Sequence, residues 1–219
     1  MIPRNKSLNS RRTTTYIYIN GLSGASRGVF ERFVDWWWRI HGMSLVRYSV
    51  DWYRSVSLDT LIHDLAHHIE HLLKRHDRVV LIGSSAGGSL ALSVFYIVDN
   101  SRLYFVNSRG RLIRGNYQAG DPRSLEHCAK LDTSRPSMLF YDSVLRAESY
   151  ITHLTQIQKH RILTLSQLTD SVVPLETIRI PGVKHHTSLS FDHPGGLIAH
   201  MLANTRRIKR FALSQDTTR

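Results

Sequence analysis

Residues 79–92 read VVLIGSSAGGSLAL. An apolar run, a knot of small residues and a second apolar run share fourteen positions. The first run is continuously hydrophobic, as in a strand buried on both faces; the second suits a buried helix. Between them, Gly83-Ser84-Ser85-Ala86-Gly87 fits the pattern G-x-S-x-G with Ser85 at its centre. A strand that turns this sharply into a helix has no room for side chains at 83 and 87. What such a turn holds up is a hydroxyl at the carboxyl edge of a sheet, beside a helix N-terminus, with the Ala86 N–H aimed at any oxyanion formed there. The competing reading is a tight connection and nothing more, and the surrounding sequence discriminates between the two.

Outward from this stretch, strand-like and helix-like segments alternate. TYIYIN (15–20) is β-branched and aromatic, and reads as a strand. After the turn GLSGAS, the positions Phe30, Phe33, Val34 and Trp37 fall on one helical face. SLVRYSV (44–50) is a second strand. Leu58, Leu61, Ile62, Leu65, Ile69, Leu72 and Leu73 mark a second helix. RVVLIG (78–83) is followed by a helix over 86–98, and RLYFVN (102–107) is the next strand. Residues 108–135 are rich in Arg, Gly, Asp and Ser, show no period, and read as a long excursion forming a small lid or pocket wall. A helix fits 137–155 and a strand fits RILTLS (161–166). Such alternation predicts an α/β fold: a mostly parallel sheet with helices on both faces.

The totals agree with one domain, expected over residues 13–204 of the 219. A single cysteine, Cys128, excludes an internal disulfide, and a reducing, cytoplasmic setting is the expectation. The first twenty residues lack the apolar core of a secretory leader, and no run approaches 18 apolar residues, so no membrane span is expected. The formal net charge is +12. Residues 1–12 hold four basic residues and no acid; residues 205–219 hold five against Asp216. These ends read as basic tails, either merely solvated or binding polyanions weakly and nonspecifically.

With the G-x-S-x-G turn set between strand and helix, the chain resembles the α/β-hydrolase family over roughly residues 13–204. YINGLSG (18–24) looks like the family's first turn, and ILTLSQLTDSVVP (162–174) like the late strand whose following loop carries the acid. The resemblance implies Leu22 N–H as the second oxyanion donor beside Ala86 N–H. The family commonly has His-Gly where this chain has Asn20-Gly21. It implies a serine hydrolase with no cofactor, acting on a small-molecule acyl substrate, esters before thioesters or amides. A serine hydroxyl needs a base to take its proton, and the base needs an orienting carboxylate. In this fold they follow in the order Ser, Asp/Glu, His. Asp170, between RILTLS and SVVP, is the expected acid.

Three histidines follow the acid closely: His185, His186 and His193, at 15, 16 and 23 residues beyond Asp170. The chain must cross back and complete another parallel strand before delivering the base. With His193, LETIRIPG is the crossover, KHHTSLSF (184–191) the strand, and PGGLIAHMLAN begins the last helix. With His185 or His186, crossover and strand are squeezed together and HTSLSF has no role. His193 is therefore the expected base and His186 the alternative. Two other readings stay open at this level: an acyltransferase on the same triad, and a non-catalytic hydrolase-like binding module whose basic tails carry the function.

Other features carry less. His63, His67 and His71 recur every fourth residue, opposite the leucine face of their helix. No carboxylate or cysteine completes a site, so no metal is expected. DWWWRI (35–40) reads as a helix packed onto a sheet with one ring exposed. Cys128 lacks a nucleophile's setting.

Overall fold

Strand β3 (Arg78–Ser84) sits at the centre of the molecule, and its residues Val79 to Ile82 are wholly excluded from solvent. A computed structural model describes residues 13–22, 29–118, 120–130, 135–170, 172–191 and 193–214. In chain order the elements are β1 (Thr14–Ile19), α1 (Val29–Ile40), β2 (Ser44–Tyr48), α2 (Leu58–Arg75), β3, α3 (Gly87–Val98), β4 (Leu103–Ser108), α4 (Leu125–Cys128), α5 (Met138–Ile151), α6 (Gln156–His160), β5 (Ile162–Thr169), β6 (Lys184–Phe191) and α7 (His193–Leu213). The six strands form one sheet in the order β2-β1-β3-β4-β5-β6. Every pairing in it is parallel, so all the strand-to-helix turns on one end share the same edge.

Period-two alternation sorts the strand residues onto two faces. Ile17, Leu81, Phe105 and Ile162 pack with Ile62 and Leu65 of α2, Leu90 and Phe95 of α3 and Val144 of α5. Tyr16, Val80, Ile82, Tyr104 and Leu163 pack with Val34 and Trp38 of α1 and Met201, Ile208 and Phe211 of α7. Of the tryptophan run, Trp38 is buried, Trp37 donates to Thr205 Oγ1 at 3.2 Å, and Trp36 is 53% exposed. One packed ring, one bridging ring and one solvent-facing ring is what a helix lying on a sheet produces.

The structure corrects three expectations. The helix expected over 137–155 ends at Ile151, and a separate short helix, α6, starts after it at a reciprocal capping box of Thr155 and Gln158. The basic segment from 205 is not a tail as far as Leu213. It continues α7, buries Ile208, Phe211 and Ala212, and its Ala212 carbonyl accepts from the Arg78 guanidinium. Apolar residues at helical spacing among the arginines are the reason. Residues 1–12 and 215–219 lie outside the described residues. Finally, part of the 108–135 excursion is core. Arg109, Arg111, Leu112, Leu125 and Cys128 are buried. Leu112 N–H donates to the Thr177 carbonyl at 2.8 Å, tying the excursion to the β5–β6 connection.

Helix α7 is held to the sheet partly by His200, which is fully buried. Its Nδ1 lies 2.9 Å from Ser188 Oγ on β6, and its Nε2 has no hydrogen-bond partner. Burial, and then the nearby Arg109, push its pKa down to about 3. A histidine is ordinarily half-charged near pH 6.5, so between pH 6.5 and 3 the unfolded chain binds a proton that the folded chain refuses. Stability must therefore fall as the pH drops from 6.5. The drop in melting temperature between pH 7 and 5, a window above the carboxylate titrations, should be smaller in His200→Leu by the share of about one proton. Parallel pH profiles in wild type and variant would contradict this.

Candidate active site

The turn after β3 brings backbone closer than any side chain permits. A Cβ at Gly83 would lie 2.6 Å from Gly88 Cα, and one at Gly87 would lie 2.8 Å from the Asn20 carbonyl oxygen. With β1, β3 and α3 pressed together at this point, the intervening residue has to bulge outward. Ser85 does so with φ of 51°, a left-handed conformation that costs a non-glycine residue on the order of 1 kcal/mol. Its backbone is fixed from both sides: Ser85 N–H donates to the Ser108 carbonyl at 3.4 Å, and its own carbonyl accepts from Gly88 N–H at 3.0 Å. Ala86 follows as the N-cap of α3. The first amides of a helix have no intrahelical acceptor and carry the positive end of its dipole, so an anion at this corner is favoured.

Gly21 and Leu22 follow β1, the neighbour of β3. A Cβ on Gly21 would meet Ser85 Cβ at 2.8 Å and Ser85 Oγ at 3.2 Å, so the β1 turn runs directly over the serine. Asn20 is what holds that turn. Its Oδ1 accepts from Val50 N–H at 2.7 Å, while its Nδ2 donates to the Val50 carbonyl at 3.2 Å and the Gly21 carbonyl at 2.8 Å. Its own carbonyl accepts from the Trp52 indole at 3.2 Å. The side chain that departs from the family's usual His-Gly thus clamps the ends of β1 and β2 together and fixes where Leu22 begins.

Asp170 follows β5 immediately. One carboxylate oxygen accepts from the N–H groups of Val172 at 3.0 Å and Val173 at 2.9 Å. The other accepts from Gln167 Nε2 at 3.1 Å and lies 3.9 Å from Arg109 Nε. Arg109 is 1% exposed, holds φ of 59° just beyond β4, and donates to Gln167 Oε1 at 2.9 Å. Nothing in the sequence flagged Arg109 or Gln167, and Asn20 stood out only as a departure at the first turn, with no role attached. Arg109 is one of many basic residues in an aperiodic stretch, and its place beside Asp170 arises only once β4 and β5 pair.

His193 is the first residue of α7, directly after β6 and not in a loop as expected; its side chain lies outside the described residues. His185 and His186 point to opposite faces of β6. His185 Nδ1 lies 2.8 Å from Thr164 Oγ1 and its Nε2 3.1 Å from Ser166 Oγ. His186 lies beside Arg206, Arg207 and Arg210. In register, Ser84 aligns with Ser108, Leu165 and then His186, which places His186 three strands from the serine turn, about 14 Å away.

Ser85, Leu22, Asp170 and His193 all stand just past the carboxyl ends of their strands, on one edge of the parallel sheet. A groove of about 940 Å³ opens between the segment after β2 and the start of α5, and Ser85 does not line it. Cys128 is buried. It accepts from Arg111 Nη1 at 3.2 Å and donates to the Val172 carbonyl at 3.1 Å, and burial pushes its thiol pKa up, opposite to what a nucleophile needs. His63, His67 and His71 are exposed on the outer side of α2.

No family model and no curated protein sequence matches the chain. Solved structures do. Est1E from Butyrivibrio proteoclasticus superposes with a TM-score of 0.60 at 16% identity, over 96% of this chain and 91% of that one. The pyrethroid hydrolase PytH gives 0.58 at 15% identity, over 94% and 99%. The Paleococcus ferrophilus monoacylglycerol lipase gives 0.55 at 12%, over 90% and 94%. Sheet order, the serine turn and these superpositions together establish that the chain has the α/β-hydrolase fold.

Proposed function

We propose that the protein is a serine hydrolase that cleaves carboxylic esters of a small-molecule acyl substrate through an acyl-enzyme on Ser85. The observation that carries this reading is the Ser85 turn: a non-glycine residue held at φ of 51° where both flanking glycines are sterically obligatory. A connection that only joined a strand to a helix would relax by placing a glycine there, and strain maintained at one serine has a use.

In this reading His193 takes the Ser85 proton as the hydroxyl oxygen attacks the acyl carbon. The carbonyl π electrons move to oxygen, and the oxyanion is received by the N–H groups of Ala86 and Leu22. Collapse breaks the bond to the alkoxide, to which His193 returns the proton, and leaves the acyl-enzyme. Water repeats the sequence, with Ser85 as leaving group. Asp170 orients the imidazole and stabilises the imidazolium. Its fixed carboxylate, with Gln167, Arg109 and two backbone N–H groups around it, supports that role. Thioesters and amides are further substrates by the same chemistry.

Ser85→Ala should lower kcat for an activated aryl ester by about 10⁴–10⁶-fold with an unchanged melting temperature. A variant retaining more than a tenth of the rate would exclude Ser85 as nucleophile.

His193→Ala should be as impaired as Ser85→Ala, and the double variant no worse than either, because groups acting as a unit lose their effect together. His186→Ala, on the far face of β6, should keep most activity. The reverse pattern would overturn the assignment of the base.

Gly21→Ala should lose most of its kcat, because the added methyl meets Ser85 Cβ at 2.8 Å and pushes either the hydroxyl or the Leu22 amide away. Unaltered kcat would show that the β1 turn takes no part in the reaction.

A further inference from the structure

The C-terminal half of α7 and edge strand β6 enclose a concavity of about 430 Å³ on the face of the sheet that carries α1. Its walls hold Lys184 and His186 from β6 and Arg206, Arg207 and Arg210 from α7. Neither α7 nor β6 contains an acidic residue anywhere in its length. Arg207 Nη1 donates to Asn204 Oδ1 at 2.6 Å. Among the described residues, Lys184, Arg206 and Arg210 have no carboxylate partner. Arg206 and Arg210 stand one helical turn apart, a like-charge pair that destabilises the helix unless something neutralises it. The dense packing of positive charge into one hollow therefore has a cost in the unliganded protein, and a multiply charged anion removes it.

We propose that this groove is a binding site for a compact polyphosphate, two or more linked phosphate groups, separate from the serine site and independent of the reading of Ser85. Guanidinium groups suit phosphate oxygens because their planar N–H pairs match two oxygens at once. The cations converge on one hollow from two elements and do not run as a stripe, which fits concentrated charge better than an extended backbone. The groove also offers no platform for nucleobases: Phe211, the aromatic residue lining it, is 6% exposed. His186 adds a pH signature. Its pKa lies below the ordinary histidine value, first through burial and then through Arg207 and Lys184. Arg206 and Arg210 also face it, His185 lies behind it on the other face of the strand, and among the described residues no acid lines the groove. An anion in the groove reverses that repulsion, so binding takes up a proton and tightens as pH falls.

Titration calorimetry of the full chain with inorganic tripolyphosphate at about 0.1 M salt tests this. Saturable binding to one site is expected, tighter at pH 6 than at pH 8. Arg206→Gln/Arg210→Gln should weaken it by at least about tenfold, whereas Lys74→Gln/Arg75→Gln, an equal charge change on the opposite face of the sheet, should leave it nearly unchanged. His186→Gln should remove the tightening at pH 6. Ser85→Ala should bind like wild type, so the outcome does not depend on the hydrolase assignment. No saturable binding, or equal weakening by both double variants, overturns the proposal. So does binding of a single-stranded oligonucleotide of about 20 residues without binding of tripolyphosphate, which would mark the surface as one for nucleic-acid backbones.

Discussion

Everything at the carboxyl edge of the sheet depends on one close approach of backbone: the contact of β1, β3 and the first turn of α3 at Gly83 and Gly87. The parallel sheet sets the spacing of β1 and β3, and α3 must begin at once to cover the apolar face of both. No side chain fits between them, so the chain reverses over a single residue, and the hydrogen bonds from Ser85 N–H to Ser108 and from Gly88 N–H to Ser85 fix its direction. Strain at Ser85 is held in place by the buried strand and helix on either side, about 1 kcal/mol against the far larger burial of Val79–Ile82 and Leu90–Phe95. The serine is positioned between a buried stretch of strand and a buried stretch of helix.

The other candidate groups inherit their places from the same sheet. Each stands one to three residues beyond a strand end, where a parallel arrangement gathers every such turn on a single edge. Asn20 and Arg109 are the local adaptations. The first ties β1 to β2 through both backbone groups of Val50, and so steadies the turn that passes over the serine. The second brings a buried guanidinium from the end of β4 to the carboxylate at the end of β5. Helix α7 combines three different demands along its length: His193 at its start, the buried uncharged His200 in its middle and the arginines of the cationic groove toward its end.

Much of this was legible in the sequence because it is written locally. The run VVLIG, the small residues after it and the leucine repeat of α2 specify strand, turn and helix by period alone, and KHHTSLSF forms the expected strand to the residue. Ends of elements were less legible. The helix expected over 137–155 stops at Ile151, and the capping box of Thr155 with Gln158 that starts α6 lies at its expected end. The extension of α7 to Leu213 was hidden because arginines dominate its composition while Ile208 and Phe211 supply the burial. Pairings across the sheet were not legible at all. That Arg109 reaches Asp170, or that His186 faces three arginines, follows from strand order and register, which no short stretch encodes.

If the turn exists to activate Ser85, covalent trapping will detect that activation. A fluorophosphonate reacts with a serine whose proton is being taken by a base and whose oxyanion is received by donors, and not with an ordinary hydroxyl. Intact-mass analysis of the full chain after labelling, followed by peptide mapping, should give one adduct per chain on Ser85 and none on its neighbour Ser84, which shares the motif but is wholly buried. An unlabelled protein, or an adduct at any other residue, would contradict the account.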